Sequence, residues 1–135
     1  MNKYIKKAKV SFRGWAGHFI CANQCRFKLN TLVEYGDIRI VISTVGAMVD
    51  ITGDKKFMEI GCNRHYETMA FHASKNGEFW DADTSRQVYF DSDWAWSDIN
   101  DEWKANKGHL KVIHEIVTKL EAGELFEVIT DEDDD

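Results

Sequence analysis

Apolar and polar side chains alternate on both sides of Gly36-Asp37. Phe27, Leu29, Thr31, Val33 and Tyr35 run up to it, and Ile38, Ile40 and Ile42 follow it. A period of two marks β-strands, because successive side chains leave a strand on opposite faces. Two residues between two such runs predict a hairpin, with Tyr35 against Ile38, Glu34 against Arg39 and Val33 against Ile40. This register sets an acid against a base, which stabilises a cross-strand pair. The apolar face is expected to meet the core. The opposite face, Arg26, Lys28, Asn30, Leu32, Val41 and Ser43, is mixed.

Residues 64 to 89 repeat the pattern around Asn76-Gly77. Asn-Gly favours a type I′ turn, which needs φ > 0 at both central positions. The register it predicts sets Lys75 against Glu78, Ala73 against Trp80, His72 against Asp81, Ala70 against Asp83 and Glu67 against Arg86. One face then carries Tyr66, Thr68, Ala70, His72, Asp81, Asp83, Ser85 and Gln87. The other carries Glu67, Met69, Phe71, Ala73, Trp80 and Ala82.

Residues 3 to 12 alternate apolar and basic and read as an edge strand, since lysines blunt an exposed edge. A short third hairpin is expected around residues 52 to 55, and a short strand at residues 125 to 129. The stripe Ile99, Trp103, Asn106, Leu110, Ile113, Ile116, Val117 and Leu120 follows a 3.6-residue period and predicts a helix over 98–122. Asp98, Asp101 and Glu102 suit its first turn, Gly123 suits its C′ position, and Gly108 is a weak point. The expected fold is α+β: an antiparallel sheet of six or seven strands built from hairpins, with one C-terminal helix packed on it. Residues 1–130 form one domain, and residues 131–135, all acidic, form a tail expected to be disordered.

Composition narrows the function classes. With 44% hydrophobic and 13% aromatic residues the chain is not a disordered one. No apolar run approaches the roughly 20 residues of a membrane span, so no membrane partner is expected. The three cysteines, Cys21, Cys25 and Cys62, are an odd number beside no secretory signal pattern; reduced thiols and a cytoplasmic location are expected. Charge is uneven. Residues 1–40 hold eight basic and two acidic side chains, and residues 81–135 hold five and sixteen. A basic first third suits phosphate, but a net charge of −6 disfavours a dedicated nucleic-acid binder.

Four constellations carry candidate chemistry. His72 opposite Asp81, with Asp83 beside it, forms a candidate catalytic group, because a carboxylate holds an imidazole in one tautomer and tunes it as acid or base. The bland counterpart is a solvated sheet face whose ion pair contributes a few tenths of a kcal/mol. Trp15 and His18 in an irregular aromatic segment, with Arg26, Arg64 and Tyr66, are candidate ligand-binding residues, and His65 beside Arg64 suits an anion. His18 and Cys21 (H-x-x-C) and Cys62 and His65 (C-x-x-H) offer a zinc-like set. The usual knuckle is C-x-x-C, however, so buried thiols and unrelated histidines are preferred and no metal or cofactor is expected. Asp91, Asp93, Asp98, Asp101, Glu102 and the tail form an acidic surface of the kind that imitates nucleic-acid phosphates. No P-loop, nucleophile elbow, dinucleotide fingerprint or zincin motif is present.

The stretches RGWAGHFI, CRFKLNTLVEYGDIRIVISTVG, HYETMAFHA and DADTSRQVYF resemble a family of small uncharacterised proteins encoded by phages and prophages, over roughly residues 12 to 122. The resemblance implies a cytoplasmic accessory protein of a mobile element in the host cell, acting against host defence. It carries no catalytic residues across. The leading expectation is therefore a binding protein that engages a small anionic ligand or a host protein. The alternatives are a small enzyme using the His–Asp pair on a nucleotide-like substrate, and an acidic nucleic-acid mimic. Homo-oligomerisation is left open.

Overall fold

The strict alternation around Gly36 produces two long strands of 11 and 12 residues. In a computed structural model, which describes residues 7–13, 18, 24–50, 56–61, 63–88, 94–124 and 126–128, β2 (Cys25–Tyr35) and β3 (Ile38–Val49) pair antiparallel. Tyr35 faces Ile38, Glu34 faces Arg39 and Val33 faces Ile40, as the turn predicts. Arg39 Nε donates to Glu34 Oε2 at 3.2 Å. Around this hairpin stand β1 (Lys9–Arg13), β4 (Phe57–Met58), β5 (Tyr66–Asn76), β6 (Phe79–Gln87) and β7 (Ala95–Trp96). They form one seven-stranded antiparallel sheet of order β1-β2-β3-β5-β6, with β4 on β3 and β7 on β5. Helix α1 (Glu102–Glu121) packs on one face, so the expected α+β class holds. Val128 makes a lone antiparallel bridge to Val88 where a last short strand was expected. The tail 131–135 lies outside the described residues.

The β5–β6 hairpin corrects the predicted register. Asn76 pairs with Phe79, Lys75 with Trp80, Ser74 with Asp81 and Ala73 with Ala82, so the two-residue loop is Gly77-Glu78. Gly77 has φ +64, Gly36 has φ +59, and neither following residue is left-handed. Both hairpins thus put glycine at the first loop position, the requirement of a type II′ turn, which overrides the Asn-Gly signal for type I′. His72 consequently does not oppose Asp81. Further on, β6 runs five residues from Ala82 to Gln87 while β5 runs two from Phe71 to Ala73. Asp83 closes that bulge: its Oδ1 accepts from the amide and hydroxyl of Ser85, and its Oδ2 accepts from Ser74 Oγ at 2.8 Å. The bulge carries Val88 to the helix side, where its amide bonds Ala70 O.

The helix side of the sheet is the main core. Val33, Ile40, Ile42, Ala70 and Val88 meet Val112, Ile113, Ile116 and Leu120. Tyr66, Thr68 and Ala70, three members of the face that carries His72, are therefore buried beneath α1. The helix starts at Glu102 rather than 98, and its buried stripe is Ala105, His109, Val112, Ile113, Ile116 and Leu120. Trp103 and Leu110, placed inside by periodicity, are 59% and 48% exposed.

The reason is His109. Its Nε2 lies 2.8 Å from Thr31 Oγ1 and its Nδ1 2.7 Å from Thr44 Oγ1, while Thr44 Oγ1 meets Thr68 Oγ1 at 2.5 Å. One threonine from each of β2, β3 and β5 thus supplies the imidazole and its neighbours with partners, so a polar stripe position is satisfied in the core. Burial pushes the His109 pKa down to about 4, keeping the ring neutral with one nitrogen donating and the other accepting.

Candidate binding cleft

Trp96 in β7 and Trp94 just before it form W-x-W, and both indoles turn toward α1 and line one cleft. The backbone holds them firmly. Thr68 N donates to Trp94 O, His65 N donates to Trp96 O, and Trp96 pairs with Tyr66. On α1 the residues Lys104, Lys107, Gly108, Lys111, Val112 and Glu115 recur every three or four positions and form one helical stripe. The two sets border a cleft of about 350 Å³.

Gly108 sets the distance between them. A Cβ there would stand 2.2 Å from Trp96 Cζ2, so only glycine lets the indole reach the helix backbone. The apparent weak point of the helix is a close-packing position. The lining holds three lysines and one glutamate, a local charge of +2 on a chain of −6. Lys104 reaches Asp101 Oδ1 at 3.5 Å. Among the described residues Lys107 and Lys111 have no carboxylate at ion-pair distance. Lys104 and Lys107 also stand 5.8 and 5.2 Å from the ring of Trp103. A concave site with a basic wall and an aromatic wall suits a ligand that pairs negative charge with a flat ring.

A second polar cluster lies on the other side of the sheet. The His18 amide donates to Ser43 Oγ at 2.9 Å, and His18 Nδ1 lies 2.8 Å from the same oxygen. The ring packs on Phe71 at 5.6 Å, and its Nε2 stands 3.9 Å from Glu67 Oε2. Burial works to raise the Glu67 pKa, yet the neighbouring His18 and then Arg64 hold it below the usual carboxylate range. Arg13 Nε donates to Asn30 Oδ1 at 2.9 Å, and its Nη1 donates to Trp80 O. Arg39 stacks on Trp80 at 4.3 Å. The Ser–His–Glu order has the look of an acyl-transfer group, but Ser43 is fully buried. An inaccessible hydroxyl is no nucleophile, and the cluster fixes His18 to the sheet.

The residues singled out from sequence do not converge on one place. His72 Nε2 donates to Phe126 O at 2.9 Å. Asp81 Oδ1 accepts from the Ala82 amide, and Asp83 sits in the bulge, its pKa lowered by hydrogen bonds from Ser85 and Ser74. Tyr66 is buried and its hydroxyl donates to Ile99 O at 2.6 Å; burial, then Glu102, Asp101 and Asp98, raise its pKa. Arg26 is exposed on β2 and Arg64 is exposed ahead of β5, bridged to Gly61, which packs under its guanidinium. His65 Nδ1 donates to Ser97 O at 2.6 Å. Trp15, Cys21 and Cys62 lie outside the described residues, so of the zinc-like set only His18 and His65 are seen, each with a protein partner. Among the described residues no three histidine, cysteine or acidic side chains form a metal-sized group.

Sequence reasoning missed the cleft. The W-x-W spacing and the lysines at 104, 107 and 111 were its available signals. No family model, no curated protein and no solved structure matches this chain. No helix of the described residues is long and apolar enough to cross a membrane.

Proposed function

We propose that the protein is a binding protein for a small anionic ligand carrying a planar ring, held in the cleft between β7 and α1. The observation that carries this reading is the union of Lys104, Lys107 and Lys111 with Trp94 and Trp96 around one cavity. Lysines are strongly hydrated and repel one another. Three of them along one helical stripe without a full set of carboxylate partners is unfavourable in an empty protein and favourable beside an anion. Each lysine–anion contact is worth about 1 kcal/mol in water and up to about 4 kcal/mol at the effective dielectric of a protein surface. The indoles add stacking and exclude water from one side. The reading narrows the expectation of a small-anion binder to a site outside the residues first suspected, and it involves no catalysis. In the setting implied by the phage-family resemblance, such a protein acts on its host by binding rather than by chemistry.

The test is calorimetric titration with phenyl phosphate, with inorganic phosphate and phenol as controls. The expected result is binding that needs both the ring and the charge, weakens as salt rises, and falls at least tenfold in Lys107→Gln/Lys111→Gln. Equal binding by the double variant overturns the proposal.

A further inference from the structure

The cleft has a direction. Two of its lysines, Lys104 and Lys107, occupy the N-terminal end of the stripe, Lys111 the middle, and its one carboxylate, Glu115, the C-terminal end. At a rise of about 1.5 Å per residue, Lys107 and Glu115 are roughly 12 Å apart along the helix axis. Gly108, Lys111 and Val112 lie between them, with Gly108 against Trp96 and Val112 in the cluster on which Trp94 packs. The cleft therefore runs from the cations Lys104 and Lys107, past the indoles with Lys111 alongside, to the hydrogen-bond acceptor Glu115. Glu115 is half-buried, and no ion pair involves it among the described residues. A carboxylate in that position works against a purely anionic ligand. It favours one that offers N–H donors at the end opposite its charge.

We infer that the ligand is a purine mononucleotide, with its phosphate at Lys104 and Lys107, its base over the Trp94 and Trp96 wall, and guanine preferred through Glu115. This rests on the anion-binding reading above and adds the identity of the ring. An extended purine mononucleotide spans about the distance from Lys107 to Glu115. The cavity of about 350 Å³ is near the small end of ligand sites, which run from about 300 to 1,000 Å³, so it holds one nucleotide and not a strand. Guanine is favoured because its Watson–Crick edge presents two adjacent donors, N1–H and N2–H, and a carboxylate accepts two parallel hydrogen bonds. Adenine offers one donor beside an acceptor nitrogen, which the carboxylate repels. Glu115 is then a specificity-determining residue, while the lysines supply affinity common to both bases.

The experiment is calorimetric titration of GMP, AMP and ribose 5-phosphate against the wild-type chain, Glu115→Gln and Lys107→Gln. The expected result is GMP binding at least tenfold tighter than AMP, and both tighter than ribose 5-phosphate. A glutamine offers one acceptor and one donor, which matches adenine, so Glu115→Gln should abolish or invert the preference while leaving thermal stability and secondary structure unchanged. Lys107→Gln should weaken both nucleotides by a similar factor. If GMP and AMP bind equally to the wild type, or if their ratio survives Glu115→Gln, the base assignment is overturned. Binding of phenyl phosphate that still depends on Lys107 and Lys111 would then leave the anion-binding reading standing. Absence of binding by every phosphate overturns both.

Discussion

Lowering the pH from 7 to 5 should destabilise this protein by about 2 kcal/mol through one residue, His109. In the unfolded chain its imidazole titrates near 6.5, and in the fold its pKa is pushed down to about 4 by burial against Thr31 and Thr44. The folded value is the lower one, so between these pH values the unfolded state binds a proton that the native state refuses. Stability is therefore complete above about pH 6.5 and is lost as the pH falls toward 4. Taken to its end the shift corresponds to about 3 kcal/mol, at about 1.4 kcal/mol per unit, and roughly 2 kcal/mol is gone by pH 5. Glu67 and Asp83 also have lowered pKa values, but their contributions disappear only below the ordinary carboxylate range, so the upper window belongs to His109. The assay is urea denaturation in half-unit steps from pH 7.5 to 4.5, on the wild type and His109→Leu. The variant should be less stable at pH 7, because Thr31 and Thr44 lose a buried partner at about 1–3 kcal/mol. Its stability should nevertheless be nearly flat where the wild type declines. A wild type flat from pH 7 to 5, or a variant with the same decline, refutes the assignment of the proton to His109.

Gly108→Ala should lower the thermal midpoint, although alanine is the better helix former by about 1 kcal/mol. The added Cβ meets the Trp96 indole at 2.2 Å, and overpacking costs about 1–3 kcal/mol; a raised midpoint in a melting curve would show that the indole does not rest there. Gly77→Val should destabilise by about 1–2 kcal/mol through conformation alone, since φ is +64 and nothing lies within 4 Å of a Cβ. Gly77→Asn should recover much of that loss in the same melts, because asparagine tolerates positive φ.

The strands were legible because their signals are local. Gly36 followed by Asp37, with strict alternation on both sides, determines a register within a dozen residues, and every predicted pair there is present. At Asn76-Gly77-Glu78 two turns compete for one glycine, and composition cannot tell type I′ from II′. The faces survived that error because the register moved by two residues, which preserves side-chain parity as far as the bulge at Asp83. The phase of the helix was not legible. Hydropathy draws Trp103 and Leu110 inward and His109 outward. What decides is three threonines on three strands, each ordinary in its own segment, that form a polar seat only once the sheet is assembled. The cleft was hidden for a similar reason. Its lysines lie in the most acidic part of the chain, and Gly108 reads as a helix defect until Trp96 is seen against it.

The proposed ligand, an anion with a planar ring, is placed between β7 and α1. The most direct test of that placement is the ¹H–¹⁵N spectrum of the tryptophan indoles during titration with GMP. Trp94 and Trp96 line the cleft, whereas Trp80 packs with Leu32, Val41 and Ala73 on the opposite side of the sheet. The Nε1–H signals of Trp94 and Trp96 should shift in step and saturate, while that of Trp80 stays in place. Saturable shifts at Trp80 with Trp94 and Trp96 unmoved, or no indole shift at millimolar ligand, would contradict it.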